Sequence, residues 1–182
     1  MRRTSFDQMQ CPIARGLEHV GEWWSILILR DAFRGATRFE QFQASLGIAP
    51  NILTRRLSAL VETGLLEKRR YSERPPRDEY VLTERGHDFR PVLWSLLAWG
   101  NRHFAPEGPS LLIVDAETGL PADPVLMDAN TLRPLKAPAF RTAPGPAASE
   151  AFRARHARDS EILAARARAA GAAARSQEKD DV

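Results

Sequence analysis

The chain has 182 residues with 43% hydrophobic content, enough for one folded core and an appendage. Its single cysteine excludes an internal disulfide and a cysteine-rich zinc site. The longest apolar runs are too short to cross a bilayer, and the first residues lack the apolar stretch of a signal peptide, so we expect a cytoplasmic protein. The four histidines show no metal-ligand spacing, and we expect neither a metal site nor a cofactor.

The positive charge of the chain is concentrated in one segment. Residues 1–105 contain 16 Lys and Arg against 12 Asp and Glu, whereas residues 106–182 contain 10 against 11. Residues 54–77 contain seven basic and three acidic side chains, which accounts for the whole excess of the first part. A run of charge is usually a solvated face, but beside a suitable architecture it indicates a phosphate-binding surface.

Three helices are predicted before residue 48. Pro12 suits the first turn of a short helix that Gly21 ends. Residues 23–33 are apolar around most of the helix circumference, which predicts a largely buried central helix. Residues 38–46 form a short amphipathic helix that Gly47 ends.

A fourth helix is predicted from Pro50 to Gly64, since proline fits a first helical position and glycine a C-terminal cap. Its leucines form an inward stripe, and its other face carries side chains that bond phosphates and base edges: Asn51, Thr54, Arg55 and Ser58. Two short helices joined by a tight glycine-containing turn, the second polar and basic outward, describe a helix-turn-helix.

Two strands and a last helix follow. Residues 65–71 and 78–83 are strand candidates, and the prolines at 75 and 76 make Ser72–Arg77 the exposed tip of a hairpin. Thr83 is the natural N-cap of a helix running to about Phe104. That helix has more apolar surface than one small core can cover, which predicts a subunit interface formed by Phe89, Leu93, Leu96, Leu97, Gly100 and Phe104.

Over about residues 11–104 the chain resembles the HxlR family of bacterial transcriptional regulators. The residues that carry the resemblance are Cys11-Pro12, Gly21–Asp31, Arg38-Phe39, Leu53–Leu57, Gly64-Leu65, Arg74–Thr83, Gly86 and Trp99-Gly100. The resemblance implies a homodimeric winged helix-turn-helix protein that binds double-stranded DNA and dimerises through its terminal helices. Two departures from the family pattern are Ala49, where a Ser or Thr commonly caps the recognition helix, and Glu22-Trp23, where Gly and Lys are frequent.

The predicted fold class is α+β, mainly α. Residues 1–104 form the winged helix-turn-helix with its long dimerisation helix. Residues 105–148, which hold eight of the thirteen prolines, form a small β-meander extension; its Asp115, Glu117, Asp123 and Asp128 resemble turn carboxylates more than a metal cluster. Residues 149–182 form an Ala- and Arg-rich tail, helical to about Arg168 and disordered at Ser176–Val182.

In such a dimer the two helices that begin at Asn51 enter successive major grooves and read an inverted repeat. Asn51 and Arg55 are predicted to contact base edges, with Ser58 on the same face, while Thr54 and Arg56 hold phosphates. For Arg56 an ion pair with Glu40 or Glu62 is the alternative. In the wing, Arg74 and Arg77 are predicted to lie at the minor groove or flanking backbone, and Lys68, Arg69 and Arg70 to attract phosphates.

Cys11 has two interpretations. At the N-cap of the first helix its thiolate is favoured by the helix dipole, as in a redox sensor, and the resemblance implies that some relatives use a cysteine near this point. The alternative is a small buried hydrophobe. Trp23, Trp24, Trp94 and Trp99 are more typical of a core and an interface; the alternative is an aromatic cavity between the core and the dimer helices that admits an apolar small-molecule effector.

Three classes of function are compared. A sequence-specific transcriptional regulator, with repression favoured over activation, accounts for the recognition helix, the basic strands and the rigid wing together. A winged helix that serves only as a protein-interaction module is the alternative, but it does not need the local excess of positive charge. An enzyme is the least favoured class, since no phosphate loop, nucleophile elbow or His-carboxylate arrangement is present in the sequence.

Overall fold

The computed structural model describes residues 5–6 and 8–180, with side chains as far as residue 170. The chain divides into two compact units, Met1–Leu135 and Lys136–Val182. The elements of the first unit are α1 (Pro12–Val20), α2 (Trp23–Phe33), α3 (Phe39–Leu46), α4 (Pro50–Glu62), β1 (Leu66–Glu73), β2 (Pro76–Leu82), α5 (Glu84–His87), α6 (Arg90–Phe104), β3 (Ile113–Val114) and β4 (Pro121–Ala122). The second unit contains α7 (Glu150–Asp180). Among the described helices, none is long and apolar enough to cross a membrane.

The core of the first unit is built around one face of α2. Ile28 and Leu29 are fully buried there against Phe42 of α3 and the leucine stripe of α4, which consists of Leu53, Leu57 and Leu60. Burying side chains of this size stabilises a fold by about 1.5–3 kcal/mol each before the entropy cost is counted. This face therefore fixes how α3 and α4 lie against the rest of the domain.

The prediction that α2 is buried on most sides is only partly correct. Trp23 is 73% exposed, and Ile26 and Leu27 are half-buried. Trp23 is the first residue of the helix, and its side chain lies outside the buried core cluster. The apolar residues of α2 outside the core face are therefore available to line a second surface.

The turn between α3 and α4 has the predicted helix-turn-helix form. Gly47 ends α3 with φ of 60°, the left-handed conformation that favours glycine. Ile48 is buried, which holds the turn to the core, and Pro50 occupies the first turn of α4. Ala49 is the N-cap residue and provides no side-chain hydrogen bond, as its methyl group requires.

The predicted wing is present, with longer strands and a shorter tip than expected. β1 and β2 pair antiparallel from Leu66 with Leu82 as far as Glu73 with Pro76. Pro76 is tolerated in the ladder because it is the first residue of its strand. The base of the wing is attached to the core, since the Tyr80 amide donates to the Thr37 carbonyl at 2.7 Å.

The prediction of one continuous last helix after Thr83 is wrong, although Thr83 is confirmed as an N-cap. The Thr83 hydroxyl oxygen accepts a hydrogen bond from the Gly86 amide at 3.1 Å, so α5 begins as expected. The helix ends at His87 and a new one, α6, begins at Arg90. Pro91 explains the break, because it has no N–H to donate to the carbonyl of His87.

The β-meander predicted in the extension is reduced to two small pairings. Ile113 and Val114 pair with Pro121 and Ala122, and a separate bridge joins Met127 to Pro134. The prolines interrupt longer ladders. The Asp115 carboxylate accepts hydrogen bonds from the amides of Thr118 and Glu117, and the Asp128 carboxylate accepts them from the Thr131 hydroxyl and the Asn130 amide, which lowers the pKa of both groups. These two carboxylates stabilise turns.

In the second unit, α7 continues past Arg168, where the sequence suggested an end, as far as Asp180. The disorder predicted for Ser176–Val182 is thus replaced by helix up to Asp180, and residues 181–182 lie outside the described residues. Alanine and arginine are strong helix formers, and no proline occurs after residue 146 to end the helix.

The approach of Gly86 to the first strand gives a stability prediction. A Cβ at this position would collide with the Leu65 carbonyl oxygen, so we expect Gly86→Ala to lower the free energy of unfolding by about 1–3 kcal/mol. Gly16→Ala is the matched control, because nothing lies within 4 Å of its Cβ position in α1 and alanine favours helix. Chemical denaturation measures both; equal stabilities for the two variants would contradict the packing.

Candidate nucleic-acid interface

The exposed face of α4 is polar and basic. Burial of Leu53, Leu57 and Leu60 turns the opposite side of the helix to solvent, and the side chains exposed there are Asn51, Thr54, Arg55 and Ser58. The four predicted contact residues thus lie on one continuous helical surface. Its orientation follows from the leucine stripe, because helix geometry fixes the angle between successive side chains.

These side chains differ in the hydrogen-bonding groups and the charge that remain available to a ligand. The Asn51 Oδ1 accepts a hydrogen bond from the Ile52 amide at 2.9 Å, which leaves the NH₂ group as a donor. The Thr54 hydroxyl donates to the Pro50 carbonyl at 2.9 Å. Arg55 is exposed and forms no ion pair with any residue that the structure describes. Arg55 is therefore the cation on this face with its full charge available.

Arg56 lies differently from the prediction. Its Nη2 is 2.8 Å from Oε2 of Glu22, and the side chain is only 13% exposed. The sequence offered an ion pair of Arg56 with Glu40 or Glu62 as the alternative. An ion pair is present, but its partner is Glu22. Because the guanidinium is turned toward the N-terminus of α2, Arg56 braces α4 against α2 and is poorly placed to bind a phosphate.

The basic side chains of β1 are partly neutralised by the wing itself. Lys68 and Arg70 both bind the carboxylate of Asp78, at 2.8 and 2.9 Å. The hydrogen bond from Lys68 lowers the pKa of Asp78, and the same bond raises the pKa of Lys68. Arg69 pairs with Glu67. All three cations are at least 43% exposed, so solvent screens these pairs and a phosphate can compete for the cations.

The three basic side chains of β1 also lie on two different faces of the wing. Side chains alternate along a strand, so Lys68 and Arg70 share one face with Asp78, while Arg69 lies on the other. A bulge at Tyr71 then shifts the register before the tip, and the Arg38 guanidinium lies over the Tyr71 ring at 4.7 Å. One strand therefore cannot place all three cations against the same nucleic-acid backbone.

The tip of the wing carries Arg74 and Arg77, both exposed. Neither forms an ion pair within the described part of the chain. Around them the Ser72 hydroxyl donates to the Pro75 carbonyl at 2.9 Å, and Pro76 pairs with Glu73, which closes the tip tightly. The two arginines are thus the wing cations with no carboxylate to displace.

The predicted interface residues of α6 fall into two groups. Phe89 and Leu93 pack against the chain's own core, and Leu97 and Gly100 are half-buried. Leu96 and Phe104 are exposed, at 43% and 67%. The exposed apolar surface of α6 also includes Val92, Trp94 and Trp99, which the sequence placed in the helix but not in the interface set.

Cys11 lies where the sequence placed it, at the N-cap of α1, and is half-buried. Nearby on α1, Ile13 and Leu17 are exposed, at 74% and 44%. The apolar exposure of the first helix thus resembles that of α6. A redox role for the thiol stays a prediction.

A helix-turn-helix followed by a two-stranded wing defines a winged helix-turn-helix protein. The model of the HxlR-like helix-turn-helix family matches residues 19–108. An HTH-type transcriptional regulator of Mycobacterium tuberculosis, Rv3095, is 41% identical over 135 residues, which cover 74% of this chain and 85% of the relative. The chain belongs to the HxlR-like family of DNA-binding transcriptional regulators, which are not enzymes.

Two solved structures extend the similarity beyond the helix-turn-helix. The crystal structure of PA1607, a candidate transcription factor, has a TM-score of 0.70 and 39% identity and covers 78% of this chain and 100% of its own. PA1374 from Pseudomonas aeruginosa, also a candidate transcription factor, has a TM-score of 0.58 and 53% identity and covers 80% of this chain and 99% of its own. Each of these two structures therefore matches a longer part of the chain than the 90 residues matched by the family model.

The Arg56–Glu22 contact gives a prediction on stability. We expect Glu22→Gln to lower the free energy of unfolding by about 1–2 kcal/mol, because Arg56 keeps its charge but loses the carboxylate. Glu67→Gln is the matched control: it breaks the exposed pair with Arg69, and we expect a change within about 0.5 kcal/mol. Urea denaturation measures both, and equal losses would exclude Arg56 as a brace for α4.

Proposed function

We propose that the protein is a homodimeric repressor that binds an inverted-repeat operator. The observation that carries the proposal is the exposed polar face of α4, with Arg55 unpaired among the described residues, beside a wing whose tip carries two further unpaired arginines. A dimer that places two such helices in successive major grooves, about 34–36 Å apart, covers DNA that polymerase or an activator needs. That exclusion is the physical reason for preferring repression.

Asn51 and Arg55 are the proposed contacts to base edges. The Asn51 NH₂ is a free donor, although its Oδ1 must leave the Ile52 amide before a bidentate pair with adenine can form. Arg55 needs no such exchange and suits guanine, which accepts two hydrogen bonds from a guanidinium. Thr54 and Ser58 flank them as phosphate or sugar contacts. Arg56 is not included, because Glu22 holds it.

The wing contacts are proposed to act in two ways. Arg74 and Arg77 bind the minor-groove edge or the flanking phosphates directly, since they have no carboxylate to release. Lys68 and Arg70 contribute only when a phosphate replaces Asp78 as their partner, and Arg69 lies on the other face. Their share of the salt dependence is therefore smaller than their charge suggests.

The dimer is supported by apolar surface that the first unit does not cover. Val92, Leu96 and Trp99 follow one side of α6, and Ile13 and Leu17 follow α1, all more than 40% exposed. Aliphatic and aromatic groups in such number on two helices favour a partner surface of the same kind. The proposed interface is thus the exposed side of α6 with α1, while Phe89 and Leu93 support it from the core.

No observation favours the alternative, a winged helix that binds only proteins. Arg55 on α4 and Arg74 and Arg77 at the wing tip have no ion-pair partner among the described residues, and they lie on the surfaces that meet DNA in a winged helix. A redox response through Cys11 has only its position at a helix N-terminus as support. We therefore do not include redox sensing in the proposal.

Substitution of Arg55 tests sequence recognition. Footprinting on the DNA upstream of the protein's own gene is expected to show two protected half-sites related by a dyad. Arg55→Ala should relax base preference at one position in each half-site and cost about 1–3 kcal/mol there. Arg55→Lys is the matched control: it keeps the charge and the salt slope but loses the bidentate fork, so preference should still fall. Unchanged base preference in both variants would overturn the role of Arg55.

Substitution of the wing tip tests phosphate binding. We expect Arg74→Ala with Arg77→Ala to weaken binding to all sequences and to reduce the slope of log affinity against log salt by about 2, one unit for each lost contact. Asp78→Asn is the opposite change, because it releases Lys68 and Arg70 and should steepen the slope. Gel shifts across a salt series measure both; a slope unchanged by the double substitution would remove the wing from the interface.

A further inference from the structure

An apolar cleft of about 510 Å³ lies between α2, α6 and the extension. Its walls are Ile26, Leu27 and Phe33 from α2, Leu93, Trp94, Leu96 and Leu97 from α6, and Leu111–Val114 from the extension. The volume falls within the usual range for small-molecule sites. The third wall is tied to the second, because the Asn101 side-chain amide donates to the Leu111 carbonyl at 2.8 Å. The cleft is thus bounded on three sides by the chain itself.

The polar groups of the cleft are all cationic. Three arginines, Arg30, Arg34 and Arg90, contribute to its lining, and no acidic residue does among the described residues. The nearby carboxylate of Asp31 is buried and is committed to Arg30 at 2.8 Å, while Arg34 lies 3.9 Å from the same oxygen. One carboxylate therefore faces two arginines, and Arg34 keeps a loose ion pair and a half-exposed side chain.

Arg90 has no carboxylate partner in the part of the chain that the structure describes. Its guanidinium lies over the Phe33 ring, 4.8 Å from the centroid, and 6.0 Å from the centroid of Trp94. Stacking on aromatic faces holds a guanidinium in place while leaving its edge N–H groups free to donate. An apolar cleft with a fixed, unpaired guanidinium at its wall matches a ligand with an apolar body and one anionic end.

We propose that this cleft binds a small apolar carboxylate. The hydrocarbon part lies among Leu97, Leu112 and Ile113, and the carboxylate accepts hydrogen bonds from Arg90 and Arg34. Arginine is suited to this because its fork of donors matches a carboxylate bidentately. A second copy of the chain would instead bring an apolar helix to the cleft and leave these charges buried without partners, which is costly.

The ligand has a direct route to the recognition helix, and this part rests on the proposed function. α2 forms one wall of the cleft with Leu27 and Arg30, while Ile28 and Leu29 on its other side pack with Leu53 and Leu57 of α4 in the core. A ligand inserted between α2 and α6 acts on the helix that orients α4. Occupancy is therefore expected to change affinity for the operator, without contact between the ligand and DNA.

Calorimetric titration of the full chain with octanoate and with octan-1-ol tests the site itself, in the absence of DNA. We expect octanoate to bind about tenfold more tightly than the alcohol, because only the carboxylate is paired with the arginines. Arg90→Met, which keeps an apolar stem, and Arg34→Met should each reduce that preference. Arg102→Met is the matched control, since Arg102 lies on the same helix outside this cleft, paired with Asp123 at 3.7 Å.

Each outcome decides the proposal. A preference for octanoate that Arg90→Met or Arg34→Met reduces and Arg102→Met preserves supports it. Equal binding of acid and alcohol, a preference unaffected by either cleft substitution, or no detectable binding of octanoate would overturn it. A gel shift with and without octanoate is read separately, so failure of DNA binding leaves the calorimetric result standing.

Discussion

The packing of Ile28 and Leu29 against the leucine stripe of α4 is the constraint on which the rest of the domain depends. A helix cannot bury Leu53, Leu57 and Leu60 without exposing the residues about half a turn away, so this contact alone directs the polar face of α4 to solvent. Stability and recognition are therefore not separate properties of α4. Any change that rotates the helix to improve its core therefore also moves the side chains that are proposed to contact DNA.

Local carboxylates decide which cations are available on this surface. Glu22 holds Arg56, Asp78 binds Lys68 and Arg70, and the cations left without local partners are at Arg55 and the wing tip. The exposed pairs cost little to exchange for phosphate, whereas the mostly buried Arg56 pair has a structural role. Glu22 is one of the two positions at which the resemblance described from the sequence departs from the family pattern. The departure from the family pattern thus coincides with a brace between α2 and the recognition helix.

The sequence predicted the helix-turn-helix and the wing because their signals are local. Gly47, Pro50 and the regular spacing of the leucines each predict the structure of their own segment, and the fold confirms the two helices that they predict. The break before α6 is equally local, since Pro91 lacks the N–H that a continuous helix needs there. The partner of Arg56 could not be predicted, because Glu22 meets it only through tertiary packing. The pairings in the extension depend on which short strands meet, and periodicity carries no information about that.

The extension links the cleft to a subset of the family. The 135 residues aligned with the mycobacterial regulator must include residues 48–135 of a 182-residue chain, and therefore the wall formed by Leu111–Val114. The family model ends at residue 108, before that wall begins. Without residues 111–114, the apolar residues of α2 and α6 that line the cleft would lack their third wall. The proposed small-molecule site thus depends on a segment outside the family model, whereas the helix-turn-helix lies within it.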